Sequence, residues 1–105
     1  MLQTMGGNPR NFNELDLYSL PSPCFVIDKK ALRSNLEVLK KLKFETNVKI
    51  LIALKAFSTL SLAPLISEYL DGCCSSGLYE TKLAAKYFSG EVSTFSPAFK
   101  SSELE

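Results

Sequence analysis

Hydrophobic residues follow two different spacings along this chain, and each change of spacing predicts a new element of secondary structure. Short apolar runs predict strands that begin near residues 24, 49, 73 and 91. Between these runs, apolar residues recur every three or four positions, which is the period of an amphipathic helix. The predicted order is strand, helix, strand, helix, strand, helix, strand.

The first predicted helix runs from about Lys29 to Glu45. Asp28 stands just before it, where a carboxylate can accept hydrogen bonds from the first backbone N–H groups. Leucines spaced by four, three and three residues give this helix one apolar stripe: Leu32, Leu36, Leu39 and Leu42. We therefore expect this stripe to face the core.

The second predicted helix contains Pro64, which is tolerated in a first turn because that N–H has no partner to lose. Its inner side is predicted to consist of five residues at helical spacing: Leu62, Leu65, Ile66, Tyr69 and Leu70. Asp71-Gly72 is expected to end this helix, with Gly72 in the left-handed conformation. The third helix is predicted from about Leu78 to Phe88, and Gly90 follows it.

Strands that alternate with helices are joined by right-handed crossovers, so the predicted fold class is α/β with a parallel sheet. Two architectures fit this order: a doubly wound sheet, or about four βα units from the N-terminal portion of a (β/α)8 barrel of the TIM type. A whole barrel needs about 250 residues. A doubly wound sheet ordinarily has a Gly-rich phosphate-binding turn after its first strand, and residues 23–28 contain no glycine.

The composition predicts a globular protein and excludes several classes of partner. Of the 105 residues, 46% are hydrophobic and 22% charged, and 12 basic against 11 acidic residues leave a net charge of +1. This balance, without a long run of one sign, predicts no binding to nucleic acid. The apolar stretches are too short to predict a membrane span. We interpret residues 1–20 as a leader or approach segment, residues 21–105 as the partial barrel, and the cytoplasm as the location.

Histidine is absent from the chain, which removes the commonest general base and the commonest zinc ligand. The three cysteines are Cys24, Cys73 and Cys74, and neither their number nor their spacing fits a disulfide framework or a metal site. We expect buried, reduced thiols and no metal. Any chemistry must then come from lysine, carboxylates, tyrosine, cysteine or a cofactor.

The run Lys49-Ile-Leu-Ile-Ala-Leu-Lys55 is the strongest candidate for a functional feature. It predicts a strand covered on both faces, and ligands of α/β sheets gather at the carboxyl ends of such strands. Desolvation there disfavours a charged ammonium and makes a lysine nucleophilic toward aldehydes. A lysine in this position can also simply extend into water, so the residue alone leaves both interpretations open.

Four short segments, spread over most of the chain, share a family resemblance. They are Pro23-Cys24-Phe25-Val26-Ile27-Asp28, Ala53-Leu54-Lys55-Ala56-Phe57, Ser75-Ser76 with Leu78-Tyr79-Glu80, and Phe95-Ser96-Pro97-Ala98-Phe99-Lys100. Together they resemble the N-terminal part of the carboxynorspermidine (carboxyspermidine) decarboxylases. That family belongs to the fold-type III, alanine-racemase-like enzymes that use pyridoxal 5'-phosphate. The resemblance extends from about Ser19 to Lys100.

The resemblance implies a barrel in which Lys55 binds pyridoxal phosphate covalently and acts as the catalytic lysine. Ala53 and Ser76 are weaker candidates for cofactor contacts, Ala53 through its small size and Ser76 through its place after the third strand. Ser76 fits equally well as the cap of the third helix. Glu80 could also reach the site, and Lys100 is expected in a solvated loop more readily than at a substrate carboxylate.

The family further implies a small-molecule polyamine as substrate. Carboxynorspermidine or carboxyspermidine would be converted to norspermidine or spermidine by a homodimeric enzyme. We expect the chain to be a gene fragment or excised segment that is inactive by itself. Three alternatives stay open: another fold-type III enzyme such as a diaminopimelate or ornithine decarboxylase or an amino-acid racemase, a non-catalytic protein that binds pyridoxal phosphate, and a structural module in which Lys55 has no chemical role.

Overall fold

A computed structural model describes residues 12–104 of the chain. Three parallel strands form one sheet in the order β1-β2-β3, and three helices accompany them. The elements are α1 (Lys29–Thr46), β1 (Leu51–Ala53), α2 (Ala63–Ser67), β2 (Gly72–Ser75), α3 (Leu78–Tyr87) and β3 (Glu91–Thr94). The predicted α/β class with a parallel sheet is confirmed. The first eleven residues of the predicted leader lie outside the described residues, and the rest of it contains a short 3-10 turn, Leu17–Ser19.

Helix α1 begins where the sequence predicts. The Asp28 carboxylate accepts hydrogen bonds from the N–H groups of Lys30, at 2.8 Å, and Ala31, at 3.1 Å. Leu36 is buried, whereas Leu42 is 38% exposed. At 3.6 residues per turn, Leu42 lies about 120° around the helix from Leu36, so the predicted stripe leaves the core at its last member.

The predicted first strand, residues 24–27, does not form within the part of the chain that the structure describes. Phe25 is fully exposed, and Val26 and Ile27 are also exposed. An apolar, β-branched run fits a covered sheet surface, but a strand needs ladder partners as well, and this segment has none. For the same reason Cys24 is exposed, so the prediction of a buried thiol is wrong there and holds for Cys73.

The α2 region has the predicted buried side but a different helix end. The predicted inner side is confirmed, since Leu62, Leu65, Ile66, Tyr69 and Leu70 are all buried. The helix itself ends at Ser67, and Gly72 is the first residue of β2 rather than a helix terminator. Its φ of 153° and its closeness to the backbone of Glu91 explain why a glycine is needed there.

The buried core lies on one face of the sheet. The residues in the strands and directly beside them that join the core cluster are alternate ones: Ile50, Ile52, Leu54, Cys73 and Val92. The cluster also contains Leu36 of α1, Ala84 of α3, and the α2 region. The other set of alternate residues, which includes Leu51, Ala53 and Cys74, is absent from this cluster. The sequence predicted a strand covered on both faces. The described residues cover only one face of the sheet, so this prediction is wrong for them.

A polar network joins α1 to the amino ends of the strands. The Asp71 carboxylate accepts hydrogen bonds from the Ile50 N–H and from the Lys43 ammonium, both at 2.9 Å. These bonds, the one from Ile50 first, hold the pKa of Asp71 below its ordinary value. Asp71 thereby ties three elements together at this end of the sheet.

Residues 12–104 contain neither a candidate membrane span nor a metal-ligand cluster. None of the helices there is long and apolar enough to cross a membrane. The same residues contain no cluster of three or more histidine, cysteine, aspartate or glutamate side chains suited to a metal ion.

Candidate active site

Lys55 lies two residues beyond the carboxyl end of β1. The strand ends at Ala53, whose carbonyl oxygen accepts hydrogen bonds from the N–H groups of Ala56, at 3.0 Å, and Phe57, at 3.1 Å. This turn shortens the predicted strand, which was expected to extend to Lys55. It also places the exposed Lys55 just beyond the carboxyl edge of the sheet.

The ammonium of Lys55 has no polar partner among residues 12–104. Two lysines near the opposite end of β1 differ from it in this respect. Lys49 pairs with the Glu91 carboxylate at 2.7 Å, a bond that raises the pKa of Lys49, and Lys43 pairs with Asp71. The pairing with Glu91 favours the protonated form of Lys49. Of the three, Lys55 is the amine available for a reaction.

Small side chains lie beside one another on the face of the sheet opposite the core, which we call the open face. Ala53 pairs with Cys74, and Cys74 pairs with Ser93. Paired residues of parallel strands point to the same face, so these three side chains form a row that leaves space above it. Sequence reasoning found Ala53 and missed Cys74 and Ser93. Counting alternate residues back from the strand ends would have found them.

Ser76 follows the carboxyl end of the neighbouring strand, β2, which ends at Ser75. Ala53 pairs with Cys74. Ser76 follows Cys74 by two residues and Lys55 follows Ala53 by two residues in the turn, so both lie at the carboxyl edge of the sheet. The backbone N–H of Ser76 donates to the Glu80 carboxylate at 2.7 Å. The N-cap of α3 is Gly77, without a side-chain cap, so the alternative that Ser76 caps this helix is wrong. Glu80 satisfies the N–H of Ser76 and thereby fixes this loop.

The remaining sequence candidate, Lys100, lies in the segment after β3. It is exposed, and its backbone N–H donates to the Glu103 carboxylate at 2.7 Å. The structure gives Lys100 no contact with Lys55. This placement agrees with the solvated-loop interpretation.

The opposite, helix-covered face holds a hydroxyl cluster that the sequence did not predict: Ser75, Thr81 and Thr94. Their side-chain oxygens lie 2.7 to 3.0 Å from one another. Ser75 is 5% exposed, the one buried polar residue among those described. The cluster joins the carboxyl ends of β2 and β3 to α3, so it holds together the elements around the candidate site.

The fold matches that of a solved decarboxylase. The structure of carboxynorspermidine decarboxylase from Campylobacter jejuni, complexed with norspermidine, superposes with a TM-score of 0.78 at 38% sequence identity. The match covers 81% of this chain and 23% of the solved chain. The chain is therefore similar, in both fold and sequence, to one part of a decarboxylase.

Three proteins with similar sequences are also named as decarboxylases. The chain is 41% identical over 86 residues to the carboxynorspermidine/carboxyspermidine decarboxylase of Herminiimonas arsenicoxydans, and 38% identical over 85 residues to that of Campylobacter jejuni. It is 35% identical over 97 residues to the carboxyaminopropylagmatine decarboxylase of Synechocystis. No protein-family profile matches.

The matches cover 81 to 92% of this chain but only 22 to 24% of the relatives, in their N-terminal part. The chain thus spans about a quarter of the length of the curated relatives it matches. The resemblance to carboxynorspermidine/carboxyspermidine decarboxylases that the sequence predicts is confirmed.

Proposed function

We propose that the whole protein containing this chain is a pyridoxal-phosphate-dependent decarboxylase of carboxynorspermidine or carboxyspermidine, with norspermidine or spermidine as product. One observation supports this most directly: an amine without a polar partner among the described residues, Lys55, stands at the carboxyl end of β1 in a chain 38 to 41% identical to such decarboxylases. We propose Lys55 as its catalytic lysine.

We further propose that the sheet is part of a (β/α)8 barrel. The strands follow one another in sequence order, β1-β2-β3, and the core residues of all three point to one face. A doubly wound sheet has helices on both faces and reverses its strand order at a switch point. Helices on one side of a sequentially ordered sheet are typical of a barrel, whose open face here would become its interior.

The residues at the carboxyl ends of the strands fit pyridoxal phosphate. Lys55 supplies the primary amine that would hold the cofactor, the small side chain of Ala53 leaves space at the end of β1, and Ser76 adds a hydroxyl at the same edge of the sheet. When bound, the cofactor supplies an electron sink for the charge that develops as carbon dioxide leaves. The chain's own task is to hold and orient this group and to exclude water from it.

Residues 1–105 by themselves are proposed to be inactive. Lys55 is exposed, and the open face around it has no cover among the described residues. Catalysis of this kind requires a closed pocket that excludes water. Activity therefore belongs to a protein in which other segments cover this face.

Reductive trapping tests the assignment of Lys55. We expect borohydride treatment of the whole protein with pyridoxal phosphate to leave a phosphopyridoxyl group on the peptide that contains Lys55, measured by mass spectrometry. Lys55→Arg should abolish the labelling and reduce decarboxylation at least about a thousandfold. Lys49→Arg is the matched control, because it removes the amine at the other end of the same strand and keeps the charge.

Substrate assays separate the remaining alternatives. Release of carbon dioxide from carboxynorspermidine or carboxyspermidine supports the proposal. Preference for carboxyaminopropylagmatine would assign the protein to the activity of the Synechocystis relative. Preference for diaminopimelate or ornithine, or racemisation of an amino acid, would assign another enzyme of the same group. Labelling without turnover indicates a non-catalytic cofactor-binding protein, and no labelling leaves Lys55 a structural residue.

A further inference from the structure

Phe95 is an exposed aromatic residue at the carboxyl end of β3. Its backbone N–H donates to the carbonyl oxygen of Ser75 at 3.0 Å, so the ladder between β2 and β3 continues to this residue. Thr94, just before it, turns its side chain to Thr81 on the helix-covered face. Because successive side chains of a strand alternate, Phe95 points to the open face. Its side chain there is 79% exposed.

Phe95 and Lys55 lie at the same, carboxyl edge of the sheet, after the two strands that flank β2. Ser75 pairs with Thr94, so Phe95 follows β3 beside Ser76, and Lys55 lies in the turn two residues after Ala53, which pairs with Cys74. Ala53 and Ser93 both pair with Cys74, so β1 and β3 are two strand spacings apart, about 10 Å, and Lys55 and Phe95 stand at the same edge of the sheet with β2 between them. A lysine side chain that carries a planar ring is long enough to reach across this distance.

The surroundings of Phe95 contain little that a phenyl ring could pack against. The open face between it and Lys55 presents the small side chains of Ala53, Cys74 and Ser93. Burying a phenyl group on this face needs an apolar, preferably aromatic, partner. A ring held at Lys55 supplies such a partner.

We propose that Phe95 forms one wall of the pocket around Lys55, where its ring contacts the pyridine ring of the cofactor. The inference rests on the proposed function and adds a residue to it. Offset or edge-to-face contact between the two rings stabilises the bound cofactor and keeps water from that side of Lys55.

The experiment compares cofactor binding in the whole protein with the variants Phe95→Ala, Phe95→Tyr and Phe95→Leu. Phe95→Ala should raise the dissociation constant for pyridoxal phosphate about tenfold, which corresponds to about 1.4 kcal/mol. It should also shift the visible absorbance of the lysine-bound cofactor. Phe95→Tyr should restore both properties, and Phe95→Leu should restore the affinity in part.

Phe44→Ala is the matched control, because Phe44 is also an exposed phenylalanine, 89% exposed, near the end of α1. It should leave both the dissociation constant and the absorbance unchanged. If Phe95→Ala binds the cofactor as tightly as the parent, with the same spectrum, the inference is wrong and the proposed function stands. If the parent itself does not bind pyridoxal phosphate at Lys55, the proposed function is wrong, and the role of Phe95 that rests on it is wrong as well.

A folding defect in Phe95→Ala does not decide the question, because the other two variants keep an apolar side chain at this position. Equal affinity and equal spectra of the leucine, tyrosine and parent proteins would reduce Phe95 to a strand residue without cofactor contact. A graded loss from phenylalanine and tyrosine to leucine supports the ring contact.

Discussion

Gly72 shows how a single residue can depend on a neighbouring strand. Its φ is 153°, and an added Cβ would collide with the backbone carbonyl oxygen of Glu91 on β3. A side chain there has to displace the neighbouring backbone, which core packing does not allow without a rise in energy. Gly77, five residues later, has an extended backbone and open space at the same position.

These two glycines give a paired prediction. Gly72→Ala should lower the free energy of unfolding by about 3 kcal/mol or more, because strain and overlap add. Gly77→Ala should change it by less than about 1 kcal/mol. Urea denaturation of both variants, followed by circular dichroism, measures the difference. Equal midpoints for the two would show that the backbone at Gly72 relaxes freely.

At the scale of elements, a cluster of side-chain hydroxyl groups connects α3 to β2 and β3. Ser75 on β2, Thr81 on α3 and Thr94 on β3 bond to one another, and Ser75 is buried. Removing one hydroxyl leaves its partners with fewer bonds in a place that water does not easily reach. The relative position of α3 and the ends of two strands depends on this cluster.

Thr81→Val tests the cluster, because valine has nearly the shape of threonine. We expect a loss of about 1 to 2 kcal/mol in the free energy of unfolding, from the unpaired hydroxyl of Ser75 or Thr94. Thr46→Val is the control. The Thr46 hydroxyl bonds to the carbonyl oxygen of Leu42 at an exposed helix end, so its loss should cost less than about 0.5 kcal/mol. Similar losses for both variants would contradict a special role for the cluster.

The helices and most strands were predictable because their signals are local. Asp28 caps α1 through bonds to residues two and three positions later, and the buried side of the α2 region follows from its spacing. The strand predicted at residues 24–27 failed because pairing is not local. Whether a partner strand is present cannot be inferred from the residues of the segment.

At the scale of the whole molecule, the amino ends of the strands are held by Asp71. Its carboxylate joins Lys43 of α1 to the segment that enters β1. The pKa of Asp71 is lowered in the folded protein. The stabilisation it gives is therefore present above the unfolded pKa, about 3.9, and is lost as the pH falls through the folded pKa.

This linkage predicts a pH-dependent difference in stability. Asp71→Asn should unfold at lower urea concentration than the parent at neutral pH, and the difference should shrink as the pH falls below about 4. Glu45→Gln is the control, since Glu45 makes an exposed pair with Lys41 at 3.7 Å and such pairs contribute little. A difference between Asp71→Asn and the parent that is constant from neutral pH to pH 3 would show that the charge of Asp71 is not involved.

The sequence by itself determined the α/β class, the three helices and three of the four predicted strands, and it singled out Lys55 as the candidate reactive residue. Each of these follows from the period of apolar residues, from a cap, or from a lysine at the end of an apolar run. The tertiary structure alone decided which face of the sheet is covered, that Ala53, Cys74 and Ser93 form one row, and that Phe95 stands at the same edge of the sheet as Lys55. Those facts depend on strand order and register, which arise from hydrogen bonds between residues far apart in the chain and leave no periodic signal in the sequence.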